Sequence, residues 1–246
     1  MTSPAVSAAI RVANTALSQL PEHILSASGR ALYSPAATLT SGSSVYFLGL
    51  NPGEIEGGAE FHDVLTVRSD LQRLHSGRID LHGYLDERWK GNTPGMAPIQ
   101  TRGQKLFASL CGGDLNAGIE LLRKTPTSNM ILPRSSSADA LEARTGLKNV
   151  DLAMQCWAFH RAVIAECRCQ IVLTHAVSIA KAFAFGSGLG AGWTRPSGWG
   201  GSFSTVYAWE LREGPRLLAI PNLSRYSPDK ERATALQAFF KEFGPT

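Results

Sequence analysis

Three asparagines stand where apolar stretches of this sequence stop or start. Asn51 follows the run Val45-Tyr46-Phe47-Leu48-Gly49-Leu50 and opens an Asn-Pro-Gly turn with Pro52 and Gly53. Asn129 begins a short run to Leu132 that Pro133 closes, and Asn222 lies in Ile220-Pro221-Asn222-Leu223-Ser224-Arg225. A carboxamide donates and accepts hydrogen bonds but takes no proton as a carboxylate does. Such residues therefore orient a ligand or a water rather than act as a base. Each also fits a purely structural reading: a turn ending a strand, an Asn satisfying backbone groups at a strand start, and a helix-entry turn.

Other site chemistries find less in the sequence. His62, His75 and His82 lack HExxH-type spacing, so no metal site is predicted. Cys156, Cys167 and Cys169 fall on or just after one predicted helix, with Cys111 remote, and read as buried thiols. No Gly-x-x-x-x-Gly-Lys-Ser/Thr loop occurs, and Gly186-Ser187-Gly188 follows a helix rather than a strand, which argues against a dinucleotide site. No cofactor is expected. His175 follows a strand end where a pocket residue can sit, though a core or surface histidine is the simpler reading. Glu54, Glu56, Glu60 and Asp63 form an acidic cluster that reads as solvated, or as the source of one carboxylate that activates water.

The elements that must carry these residues follow from periodicity. Residues 4 to 19 predict a helix, Val45 to Leu50 a strand buried on both faces, and Asp63 to Leu74 and Thr101 to Leu110 helices. Asp151 is expected to cap a long helix, followed by a strand at Ile171 to Thr174 and a helix from Ala176 to Phe185. Residues 186 to 202 read as a flexible Gly/Trp loop, and Thr205 to Leu211 and Arg216 to Ile220 as strands. A last helix is expected with Ser227 as N-cap and Pro228 at its first position. Alternating strands and helices predict one three-layer α/β/α domain over residues 1–246 around a mainly parallel sheet, with an insertion at about 54–100. Ligands of such sheets sit at the carboxyl ends of the strands. That places interest on Asn51, on the stretch from Asn129 to Ser135, and on the residues after Ile220.

Composition narrows the setting. Of 246 residues, 43% are hydrophobic and 18% charged, enough apolar side chains for a packed core. No apolar run reaches bilayer-spanning length, so no membrane partner is expected. The N-terminal stretch lacks the basic n-region of a secretory signal, and 4 cysteines suit a reducing compartment, so a cytoplasmic location is expected. A net charge of +4 leans toward polyanionic partners.

The stretch Leu48-Gly49-Leu50-Asn51-Pro52-Gly53 resembles the first active-site motif of the uracil-DNA glycosylase superfamily, GINPG in its mismatch-specific branch and GMNPG in its single-strand-selective branch. Ile220-Pro221-Asn222-Leu223-Ser224-Arg225 resembles the second motif, HPSPLS or NPSGLSR. Between them, Ser128 to Pro133 resembles the strand whose Asn reads the base edge, and Gln170 to Thr174 the next strand of that fold. The resemblance implies a monofunctional DNA glycosylase acting on single- or double-stranded DNA as a monomer. It would hydrolyse the N-glycosidic bond of a flipped uracil-type or modified base.

By this resemblance Asn51 positions the water, and backbone at Leu50 and Gly53 meets base or phosphate. Asn129 reads the base, Phe61 stacks on it, and Asn222 takes part of the role of a missing motif His. Leu223 would wedge into the vacated stack, Ser224 would bind a flanking phosphate, and Arg225 would serve phosphate or the opposite strand. His175 is a candidate pocket residue. Neither motif carries a Lys, so a lyase step has no nucleophile there. Phe61 equally fits a loop anchor. The alternatives are a catalytically silent nucleic-acid-binding module of the same fold and a nucleoside-handling α/β hydrolase.

Overall fold

A computed structural model describes residues 3–53, 65–89, 91–201, 204–229 and 231–245. In chain order the elements are α1 (Pro4–Gln19), α2 (Glu22–Leu25), a 3-10 turn (Ala36–Thr40), β1 (Val45–Gly49), α3 (Val67–His75), α4 (Pro98–Leu110), α5 (Leu115–Lys124) and β2 (Thr127–Asn129). There follow α6 (Ala138–Thr145), α7 (Asn149–Cys167), β3 (Ile171–Thr174), α8 (Val177–Gly186), β4 (Trp193–Pro196), β5 (Thr205–Glu210), β6 (Arg216–Ala219) and α9 (Glu231–Phe243).

The six strands form one mixed, mostly parallel sheet in the order β2-β1-β3-β6-β5-β4. The first four run parallel, whereas β5 is antiparallel to β6 and β4 to β5. Continuous apolar runs become strands here because both faces are covered. Tyr46, Leu48 and Val172 point into one buried cluster with α1, α3, α7 and α8. Val45, Phe47, Ile171 and Leu173 point into a second cluster with α4 and α9. The architecture is α/β, with helices packed on both faces of the sheet. Among the described residues no helix is long and apolar enough to cross a membrane.

The helix layer beside the second cluster depends on one glycine. A Cβ on Gly118 of α5 would overlap the Ala108 amide of α4 and lie 2.7 Å from Ala108 Cα. Both are backbone atoms that cannot swing aside. Gly118→Val is therefore expected to destabilise by about 3 kcal/mol, seen as a lower urea midpoint with an unchanged m-value.

Several boundaries differ from the sequence expectation. The presumed loop 186–202 contains the edge strand β4. All four of its residues are exposed, so no burial pattern marks it, and among the described residues it pairs only with β5. Gly192, at φ 69°, opens the strand, and a Cβ there would lie 2.6 Å from Ala208 O. Asp151 does not cap α7: Lys148 holds that position, Asp151 falls in the first turn, and Glu142 Oε1 accepts from Asn149 N at 2.8 Å. Helix α9 starts at Glu231 and not at Pro228, because the chain first spends residues 222–226 on a turn in which the amides of Arg225 and Tyr226 donate to Asn222 O at 3.0 Å. Strand β2 ends at Asn129 rather than beginning there. Helix α3 begins at Val67 with Thr66 as its N-cap, and residues 63–64 of the expected span lie outside the described residues.

Candidate functional site at the carboxyl ends of four parallel strands

The register brings the asparagines to one edge. Gly49 of β1 pairs with Asn129 of β2, Leu48 with Thr174 of β3, and Thr174 with Ala219 of β6. The four parallel strands thus end at nearly one level. Asn51, Asn129, His175 and Asn222 lie at or just beyond those ends. Backbone bonds continue past them: Met130 N to Gly49 O and Ile131 N to Leu50 O at 2.9 Å, and His175 N to Leu48 O at 3.2 Å.

The Asn-Pro-Gly turn is fastened to the segment after β2. Ser135 N donates to Pro52 O at 2.9 Å, and Arg134 Nη1 donates to Gly53 O at 2.7 Å. Asn51 Nδ2 donates to Pro52 O and to Ser135 O, each at 3.0 Å. Two carbonyl acceptors fix which end of the amide is nitrogen and occupy both of its hydrogens. Asn51 Oδ1 remains as the acceptor of this half-buried side chain. Leu50 is half-buried against the first core cluster. Gly53 is exposed, and a Cβ there would meet no described atom within 4 Å.

Gly49 is the site glycine that the sequence reading passed over. A Cβ at Gly49 would overlap Asn129 Oδ1, lie 3.1 Å from Asn129 Cγ and lie 3.4 Å from His175 Nε2. The missing side chain is what lets the Asn129 carboxamide and the His175 ring lie over the end of β1. The one signal available was a glycine as the last residue of an otherwise bulky apolar strand.

His175 is buried, and burial lowers its pKa to about 4 against the opposing pull of its own backbone and of the Asn222 side chain. The ring is neutral at pH 7. Its Nε2 meets the Tyr84 hydroxyl at 3.3 Å. Phe47 packs beside both, with ring centroids 5.7 Å from His175 and 5.2 Å from Tyr84. Tyr84 belongs to the 54–100 segment and had no distinguishing signal in the sequence.

The second motif is arranged differently from the expectation for one residue. Asn222 Oδ1 accepts from Ser224 N at 2.8 Å, which shapes the turn. Leu223, expected as a wedge presented to DNA, is fully buried in the second core cluster. Arg102 of α4 holds it there by donating from Nη1 to Leu223 O at 2.8 Å and to Ser224 O at 2.7 Å. The turn folds its apolar side chain inward and leaves Ser224 and Arg225 exposed. Phe61 and the acidic cluster lie outside the described residues.

The remaining reactive groups sit elsewhere. Cys156, Cys167 and Cys169 are buried free thiols and Cys111 is half-buried. Among the described residues no cluster of three His, Cys, Asp or Glu side chains is placed to hold a metal. A cleft of about 610 Å³ opens at the opposite, amino-terminal edge of β3 and β6, between Arg161, Arg168, Glu213 and Arg216. Its arginines are accounted for in part by structure: Arg216 Nε donates to Glu210 Oε1 at 2.8 Å, and Arg168 is the C-cap of α7, where a cation complements the helix dipole. Comparison with family models and with curated proteins finds no match to this chain.

Proposed function

We propose that the chain is a monofunctional DNA glycosylase that hydrolyses the N-glycosidic bond of a flipped, uracil-type or modified base and leaves an abasic site. The observation that carries the reading is the convergence of Asn51, Asn129, His175 and Asn222 at one sheet edge, with Asn51 and Asn222 on the two segments that resemble the glycosylase motifs. Carboxyl ends of parallel strands are where ligands of open α/β sheets bind.

The chemistry suits amides. As the bond breaks, positive charge grows on the sugar and negative charge on the departing base, and fixed dipoles stabilise both. Asn51 Oδ1, with its Nδ2 tied to two carbonyls, is oriented to accept a hydrogen from the attacking water. It draws the water toward the anomeric carbon without taking its proton, which passes to solvent as the C–O bond forms, while the base departs as its anion with the electron pair of the broken C–N bond. Asn129 supplies both a donor and an acceptor to the edge of a base, a pairing suited to a pyrimidine carbonyl and imide. Ser224 and Arg225, exposed on the turn, are the groups offered to a flanking phosphate. Leu223 has no part in contacting DNA on this reading.

A panel of single- and double-stranded oligonucleotides, each with uracil, mismatched thymine, hypoxanthine or a modified pyrimidine, followed by alkaline cleavage, tests the proposal. Cleavage at one or more of these bases is expected. Asn51→Ala is expected to lower the excision rate by about 100-fold while changing DNA affinity less than about twofold, because it removes orientation and not binding. Salt-dependent DNA binding with no alkali-labile product from any member would instead support the silent binding module. Turnover of free nucleosides with duplex DNA ignored would support the nucleoside hydrolase.

A further inference from the structure

The Tyr84–His175 pair is built with more care than a core contact needs. The aromatic ring of Tyr84 fits against α4 only because Gly103 has no side chain: a Cβ there would lie 2.7 Å from Tyr84 Cδ1. The backbone on either side is pinned as well. Tyr84 N donates to His82 Nδ1 at 3.2 Å, Gln104 Nε2 donates to Tyr84 O at 3.3 Å, and Gln100 Nε2 donates to Gly83 O at 2.6 Å. These bonds put the hydroxyl 3.3 Å from His175 Nε2, in a setting where both residues are about 95% buried.

Which atom donates follows from satisfying the protons. A buried hydroxyl must place its hydrogen on an acceptor, and the imidazole nitrogen is its partner among the described residues. If Tyr84 donates to Nε2, that nitrogen carries the lone pair and the ring proton is on Nδ1. His175 Nδ1 is buried and has no acceptor at hydrogen-bond geometry among the described residues, although its own backbone and the Asn222 side chain act on the ring, so its hydrogen is at most weakly engaged at the sheet edge. An under-used buried donor is costly, and a ligand acceptor would recover that cost.

We propose that Tyr84 is a positioning residue that fixes His175 as the Nδ1–H tautomer, so that His175 offers a hydrogen bond to the charge that develops on the leaving base. The second half rests on the glycosylase reading; the first half does not. On this account Tyr84 completes the site from the described part of the 54–100 segment. Burial reinforces the arrangement by keeping the ring neutral, so the donor is available without a prior protonation step.

Nitrogen-15 spectra of histidine-labelled protein at pH 7.5 decide the first half. The His175 signals are identified by their loss in His175→Asn. Wild-type protein is expected to show His175 protonated at Nδ1. Tyr84→Phe keeps the ring packing on Phe47 and Trp89 but removes the hydroxyl, and is expected to shift the tautomer toward Nε2–H. The same variant is expected to lower the excision kcat about tenfold while KM and DNA affinity stay within about twofold, the pattern of a lost orienting bond. An Nε2–H tautomer in the wild type, which needs no variant to observe, overturns the proposal. So does an unchanged tautomer in Tyr84→Phe, or a tautomer shift that leaves kcat intact. If wild-type protein excises nothing yet Tyr84→Phe moves the tautomer, the positioning role stands and the glycosylase reading falls.

Discussion

Acidifying the protein from about pH 7.5 to pH 4.5 is expected to remove most of its stability, and three histidines are the reason. Burial lowers the pKa of each of His82, His160 and His175 from 6.5 to about 4. His160 is held neutral between two partners, with the Tyr46 hydroxyl 2.8 Å from Nδ1 and Met130 O 3.3 Å from Nε2. His82 accepts from Tyr84 N. Its shift is opposed by Asp86 and the Leu122 and Thr125 carbonyls, and is aided by Arg123.

The sign follows from proton counting. Between pH 6.5 and 4 the unfolded chain binds protons that the folded chain refuses, so stability falls as pH falls. The contribution is complete above pH 6.5 and exhausted below pH 4. Each histidine is worth on the order of 3 kcal/mol, so the three together rival the whole stability of an ordinary domain. Glu87 and Glu166 have lowered carboxyl pKa values, so their losses come below about pH 4.5, outside this window. Asp70 has a raised pKa, which runs the other way and offsets part of the loss. Urea midpoints at a series of pH values measure the slope. His160→Gln is expected to lower stability at pH 7.5 and to flatten the slope by about one-third, since one of three titrating groups is gone. A midpoint that stays level from pH 6.5 to 4.5 would rule out neutral buried histidines.

What the sequence disclosed depended on where burial leaves a pattern. Helix α1 occupies the expected residues 4 to 19 because Ala8, Ala9, Val12, Ala13 and Ala16 share its buried face. Strands β1 and β3 were legible because every one of their residues is buried. Helix α6 buries only Leu141 and gives no periodic apolar signal, whereas α5 carries Leu115, Ile119 and Leu122 at helical spacing and still buries only Gly118 and Leu122. Strand β4 buries nothing and owes its existence to a neighbour. The same division holds at the sheet edge. Asn51, Asn129, Asn222 and His175 sit at strand ends, a local and readable position. Tyr84 and Gly49 matter through contacts with residues 91 and 80 positions away in the chain, His175 and Asn129, and no local pattern encodes those. Leu223 was misread for a related reason: the turn that carries it looks exposed, and only the Arg102 clamp from α4 reveals which way its side chain faces.

Gly49→Ala is the substitution expected to separate the site from the fold most cleanly. The new Cβ would overlap Asn129 Oδ1, the far end of a side chain that can rotate, and otherwise comes no closer than 3.1 Å to its three nearest atoms. The backbone pairing of β1 with β2 and the bond from Met130 N to Gly49 O need not change. Stability should therefore move by less than about 1 kcal/mol, helped by alanine's smaller loss of backbone freedom relative to glycine. The Asn129 carboxamide, by contrast, has to leave the position it holds over the strand end. A displacement of about 1 Å in a binding group can lower turnover about 100-fold. Excision by Gly49→Ala is expected to fall by that order, with the melting temperature nearly unchanged. If the loss acts through Asn129, the two changes share one effect, and the Gly49→Ala/Asn129→Ala double variant should be no slower than Asn129→Ala alone. Multiplicative losses in the double variant would mean that Gly49 serves the site by another route, such as room for the base itself. Full activity in Gly49→Ala would mean that Asn129 does not read the base from the place it occupies here.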